Sequence, residues 1–334
     1  MEYKMLVRRR ELHDTPKEEL AFWLAVNEKG LSFRPEPFVR ALEELTSMEA
    51  LWSSSISELA TYGFDSRMVE TFSKVKKSFD PKEYQKQVDT LLKKGVSILT
   101  YNDSFYPRRL RNMQSKLPPP LLLFARGDYV NFNNCVAVVG SRDCSFHGRS
   151  TARRLAKKLA DKGYTIVSGL ARGVDEEAHC GTLESRRGRT IAVLPWLDPI
   201  YPDEHSQLVH DIEKRGARVS EMYVKPFGAL TPSKFVERNR ITSGVSKFVI
   251  AIETDVDGGT IRQAELALDQ KRPIFALRPK DNERAMRGFD KLLRDFDAIE
   301  FADEKDLLGK LKENDLEPDP TLEEYDQPSQ LKLT

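Results

Sequence analysis

The sequence predicts an α/β protein: a doubly wound, mostly parallel sheet preceded by a small all-helical domain. Two observations carry this reading. From Val136 onward, short and continuously apolar runs alternate with segments of helical apolar spacing. Such runs are what strands covered on both faces look like, and the helices between them are the crossovers a parallel sheet needs. Before that point, from about Pro16 to Phe79, only helical spacing occurs, as in Leu20, Phe22, Trp23, Leu24 and again Phe38, Leu42, Leu45. Turn residues such as Asn27-Glu28-Lys29-Gly30 and Gly63-Phe64-Asp65 break this stretch into short helices, with its aromatic residues as core.

The elements follow in order. A helix over Lys82 to Lys94 leads to a strand at Val96 to Thr100, and a second short strand lies at Leu121 to Phe124 beyond Pro118-Pro119-Pro120. The alternation then runs through strands at Val136 to Val139, Thr165 to Val167, Thr190 to Leu194, Arg218 to Ser220 and Phe248 to Ile252. Pro273 to Leu277 closes the series. Helices fall at about Gly148 to Lys162, Asp175 to Glu184, Asp203 to Lys214 and Thr260 to Asp269. This is a Rossmann-like core. The division expected is a helical domain over residues 1–80, a connector with short strands over 81–128, the core over 129–302 and an acidic, disordered tail over 303–334.

Composition narrows the class. The 334 residues are 40% hydrophobic and 31% charged, with a net charge of +1. No run approaches the roughly 18–20 apolar residues of a membrane helix. No signal-peptide core follows Met1 to Arg10, so a cytoplasmic protein is expected. The three cysteines form no CxxC, and His179 and Cys180 are adjacent, so neither a disulfide framework nor a metal site is expected. Charge is unevenly distributed: Glu313 to Asp326 holds seven acids and no Lys or Arg, while Gly140 to Thr190 holds eleven Lys/Arg against six acids. The body is therefore basic once the tail is set aside, and the tail either extends into solvent or covers that basic surface.

In a doubly wound sheet, ligands bind outside the carboxyl ends of the strands. Three loops there are rich in glycine: Gly140-Ser141-Arg142, Ser168 to Asp175, and Asp257-Gly258-Gly259-Thr260. Glycine lets backbone approach a ligand, helix N-termini offer N–H groups to anions, and Arg142 and Arg172 suit phosphate. Gly140, Ser141, Arg142, Ser168, Gly169, Arg172, Gly258, Gly259 and Thr260 are thus the expected phosphate shelf. Neither GxGxxG nor GxxxxGK[ST] occurs, so hydride transfer and nucleotide hydrolysis lack their usual support and no cofactor is expected. In Arg238-Asn239-Arg240, arginine suits phosphate and base stacking, and asparagine suits a base edge. The alternative for that segment is an ion pair to Glu221 or Glu253 that pins its helix.

Taken together, these motifs resemble the DprA/Smf DNA-processing family. The residues are Gly140-Ser141-Arg142, Ser168 to Asp175 with Ala178-His179, Thr190 to Leu194, Tyr201-Pro202, Ser220-Glu221 and Arg238 to Ile241. Tyr106 to Leu110 and Pro119 to Leu122 extend the likeness upstream. The resemblance implies a non-catalytic core that binds single-stranded DNA, forms a homodimer and assists loading of a RecA-type recombinase in recombination or natural transformation. It adds Asn239 and Arg240 to the expected DNA-binding residues, while His179 is expected to serve packing. Leu194 to Asp198 departs from the family's glycine-containing turn, which sets Trp196 at the pocket rim, and an acidic tail is expected where many family members carry a winged-helix module. A rival reading is a nucleotide-derived small-molecule hydrolase or a nucleotide sensor, because Asp257 to Thr260 with Glu265 is similar to loops of related enzymes.

Overall fold

The structure, a computed structural model, describes residues 14–28, 35–128, 131–224, 232–280 and 282–319, with the side chains of 232–237 excepted. Six helices come first: α1 (Lys17–Glu28), α2 (Glu36–Leu45), α3 (Met48–Ser53), α4 (Ile56–Thr61), α5 (Ser66–Ser78) and α6 (Pro81–Lys93). The starts of α3 to α6 are set by short polar caps. Ser47 accepts from Ala50 N at 3.1 Å, Asp65 accepts from Met68 N at 2.7 Å, and Ser55 with Glu58 forms a reciprocal capping box. The aromatic residues fill the interior, as expected. Trp23, Phe38 and Phe72 are fully buried, and Phe72 meets Phe38 and Trp52 edge-on at centroid distances of 5.9 and 5.4 Å.

Among the described residues nine strands form one sheet: β1 (Val96–Thr100), β2 (Leu122–Arg126), β3 (Cys135–Gly140), β4 (Thr165–Ser168), β5 (Arg189–Val193), β6 (Ala217–Ser220), β7 (Val249–Ile252), β8 (Ile274–Leu277) and β9 (Ile299–Phe301). Their order is β1-β2-β6-β5-β4-β3-β7-β8-β9. The seven strands from β6 to β9 run parallel, and β1 and β2 add to the β6 edge antiparallel. The predicted connector strands are therefore part of the sheet. Their interior is continuous with that of the helices, running from Leu20 and Phe72 through Ile98 and Phe124 to Val193. Asp103, buried just after β1, accepts from the backbone N of Thr15 at 2.7 Å and of Thr100 at 2.6 Å, which fixes α1 to the sheet.

The crossovers are α8 (Phe146–Asp161), α9 (Val174–Glu184), α10 (Ser206–Arg215), α11 (Pro232–Gly244), α12 (Gly259–Asp269) and α13 (Glu283–Phe296), while α7 (Arg108–Arg111) lies between β1 and β2. Alternate residues of β3 serve opposite faces, as a period of two requires. Val136 and Val138 pack with Leu155 of α8 and Phe248, whereas Ala137 and Val139 pack with Ile261 of α12 and Phe289 of α13.

Two features differ from the sequence expectation. The series does not close at Leu277, because β9 pairs with β8. Residues 304–313, expected within the tail, form a helix, α14 (Glu304–Glu313). Asp303 caps it at 2.9 Å to Lys305 N and Asp306 N, and Leu307 and Leu311, one turn apart, are buried against the sheet. The rest of the expected tail, residues 320–334, lies outside the described residues.

Candidate nucleic-acid interface

The sheet changes direction of growth between β3 and β7. From β3 the chain moves outward through β4, β5 and β6, and β7 to β9 lie on the other side. Loops leaving the carboxyl ends of β3 and β7 diverge at that point and leave a crevice. The loops after β3, β4 and β7 are stitched together across it by backbone. Ser141 N donates to Glu253 O at 2.9 Å, and Val174 N donates to Ser141 O at 3.2 Å. Glycine is required here for space: a Cβ on Gly140 would stand 2.0 Å from Ile252 O, and one on Gly173, whose φ is 81°, 2.5 Å from Ser141 O. The β3 and β7 loops are also neighbours in charge. Arg284 donates to Asp255 at 2.7 Å, and Asp143 joins Asp255 in raising its pKa.

Three helices begin at the crevice and differ in what their N-termini hold. At α8, Ser145 caps Gly148 N at 3.0 Å, and the Glu253 carboxylate accepts from Ser145 N at 2.8 Å. That N-terminus already holds an anion. At α9, Glu176 reaches back to Gly173 N at 3.4 Å. The start of α12 has no side-chain cap, because Gly258 stands at the cap position, and a Cβ on Gly259 would meet nothing within 4 Å. The phosphate shelf read from three loops thus narrows to one open helix start, Gly258 and Gly259. Thr260 is buried beneath it.

The arginines are sorted by burial. Arg142 is exposed at the crevice mouth. Arg172 is exposed and donates from Nε to Glu204 at 2.5 Å, a surface pair that a phosphate can replace. Arg240, expected at the DNA, is buried and serves the fold. It holds Glu221 in a two-pronged pair at 3.0 and 2.7 Å and donates to Pro118 O at 3.0 Å. Its neighbour Arg238, absent from the expected site, takes the crevice position. Its guanidinium lies over Gly169, where a Cβ would come within 2.1 Å of Nη1, and it donates to Val193 O at 2.6 Å. Burial pulls its pKa to about 10, with Asp175 opposing the shift and Arg142 adding to it. Its buried Nε has no hydrogen-bond partner among the described residues. Two residues apart on a helix point to opposite sides, so only one of Arg238 and Arg240 can face the crevice.

The other expected residues divide similarly. Ser168 is fully buried and donates to Val138 O at 2.6 Å, so it braces β4 on β3 and presents nothing to a ligand. Gly169 N donates to buried Asp175 at 3.1 Å, and burial pushes that carboxyl up. Asn239 O accepts from Gln263 Nε2 of α12 at 3.0 Å, so the backbone at Asn239 ties α11 to α12. His179 is fully buried with Nδ1 at 2.7 Å from Thr190 Oγ1. Burial pulls its pKa to about 3, so it is neutral and structural. Trp196 does not form the rim: it is buried and donates to Pro199 O at 2.7 Å. The exposed rings are elsewhere. Tyr201 is half-exposed after β5, and Phe146, the first residue of α8, is 86% exposed. Sequence reading missed Phe146, although its place one residue after the cap Ser145 puts it on the first turn beside the Arg142 loop.

This geometry defines an α/β protein with a doubly wound sheet whose carboxyl edge is the candidate anion site. The comparisons with known proteins give its family. The chain belongs to the family described as DNA recombination-mediator protein A, whose model matches residues 97–312. It is 33% identical over 267 residues to Protein Smf of Synechocystis, covering 78% of this chain and 64% of that protein's length. Among solved structures, DNA processing protein A of Streptococcus pneumoniae superposes with a TM-score of 0.72 over 89% of this chain and 98% of that one, at 24% identity, a likeness of fold. DNA processing protein A of Helicobacter pylori, studied for its single-stranded DNA binding mode, superposes with a TM-score of 0.54 at 27% identity, over 63% of this chain and 94% of that one.

Proposed function

We propose that the protein binds single-stranded DNA along the carboxyl edge of its sheet and acts in DNA processing or recombination. The observation that carries this is the convergence, at the switch point, of exposed Arg142, buried Arg238 over Gly169, and the uncapped start of α12. Phosphates meet charge and free N–H groups there, and Phe146 offers a face on which a base stacks without regard to sequence. Family membership and the titled binding mode of the Helicobacter pylori protein support the same polymer. Family membership also supports the finer parts of the proposal: a cytoplasmic homodimer that hands its strand to a RecA-type recombinase. Among the described residues, no helix is long and apolar enough to cross a membrane. The hydrolase reading loses its carboxylate, because Glu265 pairs with Arg262 at 3.1 Å on the exposed side of α12.

Titration of labelled single- and double-stranded oligonucleotides at several salt concentrations tests the proposal. Tighter binding of single strands is expected, with affinity falling as salt rises. Equal affinity for both forms, or no dependence on salt, contradicts it.

A further inference from the structure

At the opposite, amino edge of the sheet, three cations from three elements stand together. Arg109 lies in α7, Lys247 two residues before β7, and Arg272 two residues before β8. Backbone bonds hold them in one frame. Arg272 Nη2 donates to Arg109 O at 2.9 Å and Gly244 O at 3.1 Å, and Lys247 N donates to Cys135 O at 2.7 Å. Among the described residues, no carboxylate comes within ion-pair distance of any of the three, and the buried Nε of Arg272 has no hydrogen-bond partner. Burial and the nearby Arg109 charge hold Lys247 and Arg272 below their usual pKa ranges. Asp319, whose charge eases Lys247, sits beside this cluster with its backbone bonded to Asn134 at 2.9 and 3.1 Å.

Like charges brought this close repel, and a fold normally sets a carboxylate among them. Here α7 and the approaches to β7 and β8 converge with three positive groups; Lys247 Nζ donates to the backbone O of Glu317, and the charge of Asp319 reaches the cluster as well. We propose that Arg109, Lys247 and Arg272 form a second phosphate-binding site, which takes the backbone of a nucleic-acid strand too long for the crevice alone. The site lies at the other end of the six-residue β3 from Gly140, roughly 20 Å away at strand rise. The anion site is read from its own residues, while its part in extending a strand held at the carboxyl edge rests on the proposed function.

The test uses the full chain and single strands of about 6 and about 40 nucleotides, at and beyond the span of one binding fold. Parent, Arg142→Ala, and the double variant Arg109→Ala/Lys247→Ala are compared by fluorescence anisotropy over a salt series, with melting curves to confirm folding. The double variant is expected to bind the long strand on the order of tenfold more weakly, with a salt slope lower by about 1.4, and the short strand like the parent. Arg109→Lys, which keeps the charge, is expected to bind the long strand like the parent. Calorimetry with inorganic phosphate separates the two sources of a phosphate group. Saturable binding lost in the double variant, with long-strand affinity unchanged, retains the anion site and assigns it to free phosphate. Parent-like behaviour toward both phosphate and long strand overturns the proposal, as does equal loss at both lengths. A parent-like Arg142→Ala would overturn the carboxyl-edge reading and leave the anion site standing.

Discussion

Arg238 and Arg240 show what one residue's position on a helix decides. The motif Arg238-Asn239-Arg240 was legible as functional, and the resemblance put Arg240 at the DNA, but the alternative reading, an ion pair to Glu221 that pins the helix, is the one Arg240 fulfils. Which side of α11 faces the crevice depends on how the helix docks, which local spacing does not give; Glu221, held by Arg240, comes from the end of β6. The two arginines therefore have separable consequences. Arg240→Ala leaves Glu221 buried and uncompensated, and it should destabilise the fold by about 3–5 kcal/mol, visible as a sharp fall in Tm. Arg142→Ala, at an exposed position, should leave Tm unchanged while weakening single-strand binding by about 1–3 kcal/mol and lowering the salt slope by about 0.7. An Arg142→Ala protein that binds like the parent would remove Arg142 from the site. A buried neutral histidine adds a pH signature. His179 has a folded pKa of about 3 against an ordinary 6.5. The unfolded chain therefore takes up a proton first as pH falls below 6.5, and the stability tied to the neutral ring is lost progressively toward pH 3. Melting curves across that window should show the loss, and His179→Gln should flatten it.

At the scale of elements, the alternation of strands and helices was readable because each buried strand is continuously apolar. The last pieces were not readable. β9 is three residues long and only Phe301 of it is buried, and α14 rests on two leucines amid balanced charge, Lys305, Lys310 and Lys312 against Glu304, Asp306 and Glu313. Beyond α14 the chain runs along the amino edge, where Tyr164 donates to Leu316 O at 3.0 Å. The acids from Glu313 to Asp319 are thus held away from the crevice and do not cover it. Truncation after Lys312 should leave short-strand affinity unchanged; a marked increase would contradict that placement. Two glycines of the site make a paired test. Gly140→Ala drives a Cβ into Ile252 O and should lower Tm sharply. Gly259→Ala enters open space in a helix and should hold or raise stability, by up to about 1 kcal/mol.

Across the whole molecule, the helical region and the sheet edge share one interior, which sequence could not show because the contacts joining them are long-range. Asp103 accepts from Asp14 N, Thr15 N and Thr15 Oγ1 across 88 or 89 residues, pairings with no local pattern, besides the local bond from Thr100 N. The described part of the chain should unfold in one cooperative transition, with helical and near-ultraviolet signals melting together. Asp103→Ala should uncouple them or lower both. Separate transitions in the parent protein would show that the helices and sheet stand independently.

Strands β3 and β7 are packed on both faces, which makes the crevice at their ends a rigid edge to which a strand is brought. Amide hydrogen exchange of the full chain, with and without a single-stranded oligonucleotide, therefore tests the central claim most directly. The account predicts slowed exchange at residues 140–146, 169–173 and 257–260, where the three loops meet. Protection confined to the helices of residues 36–93, with those loops unchanged, would contradict it.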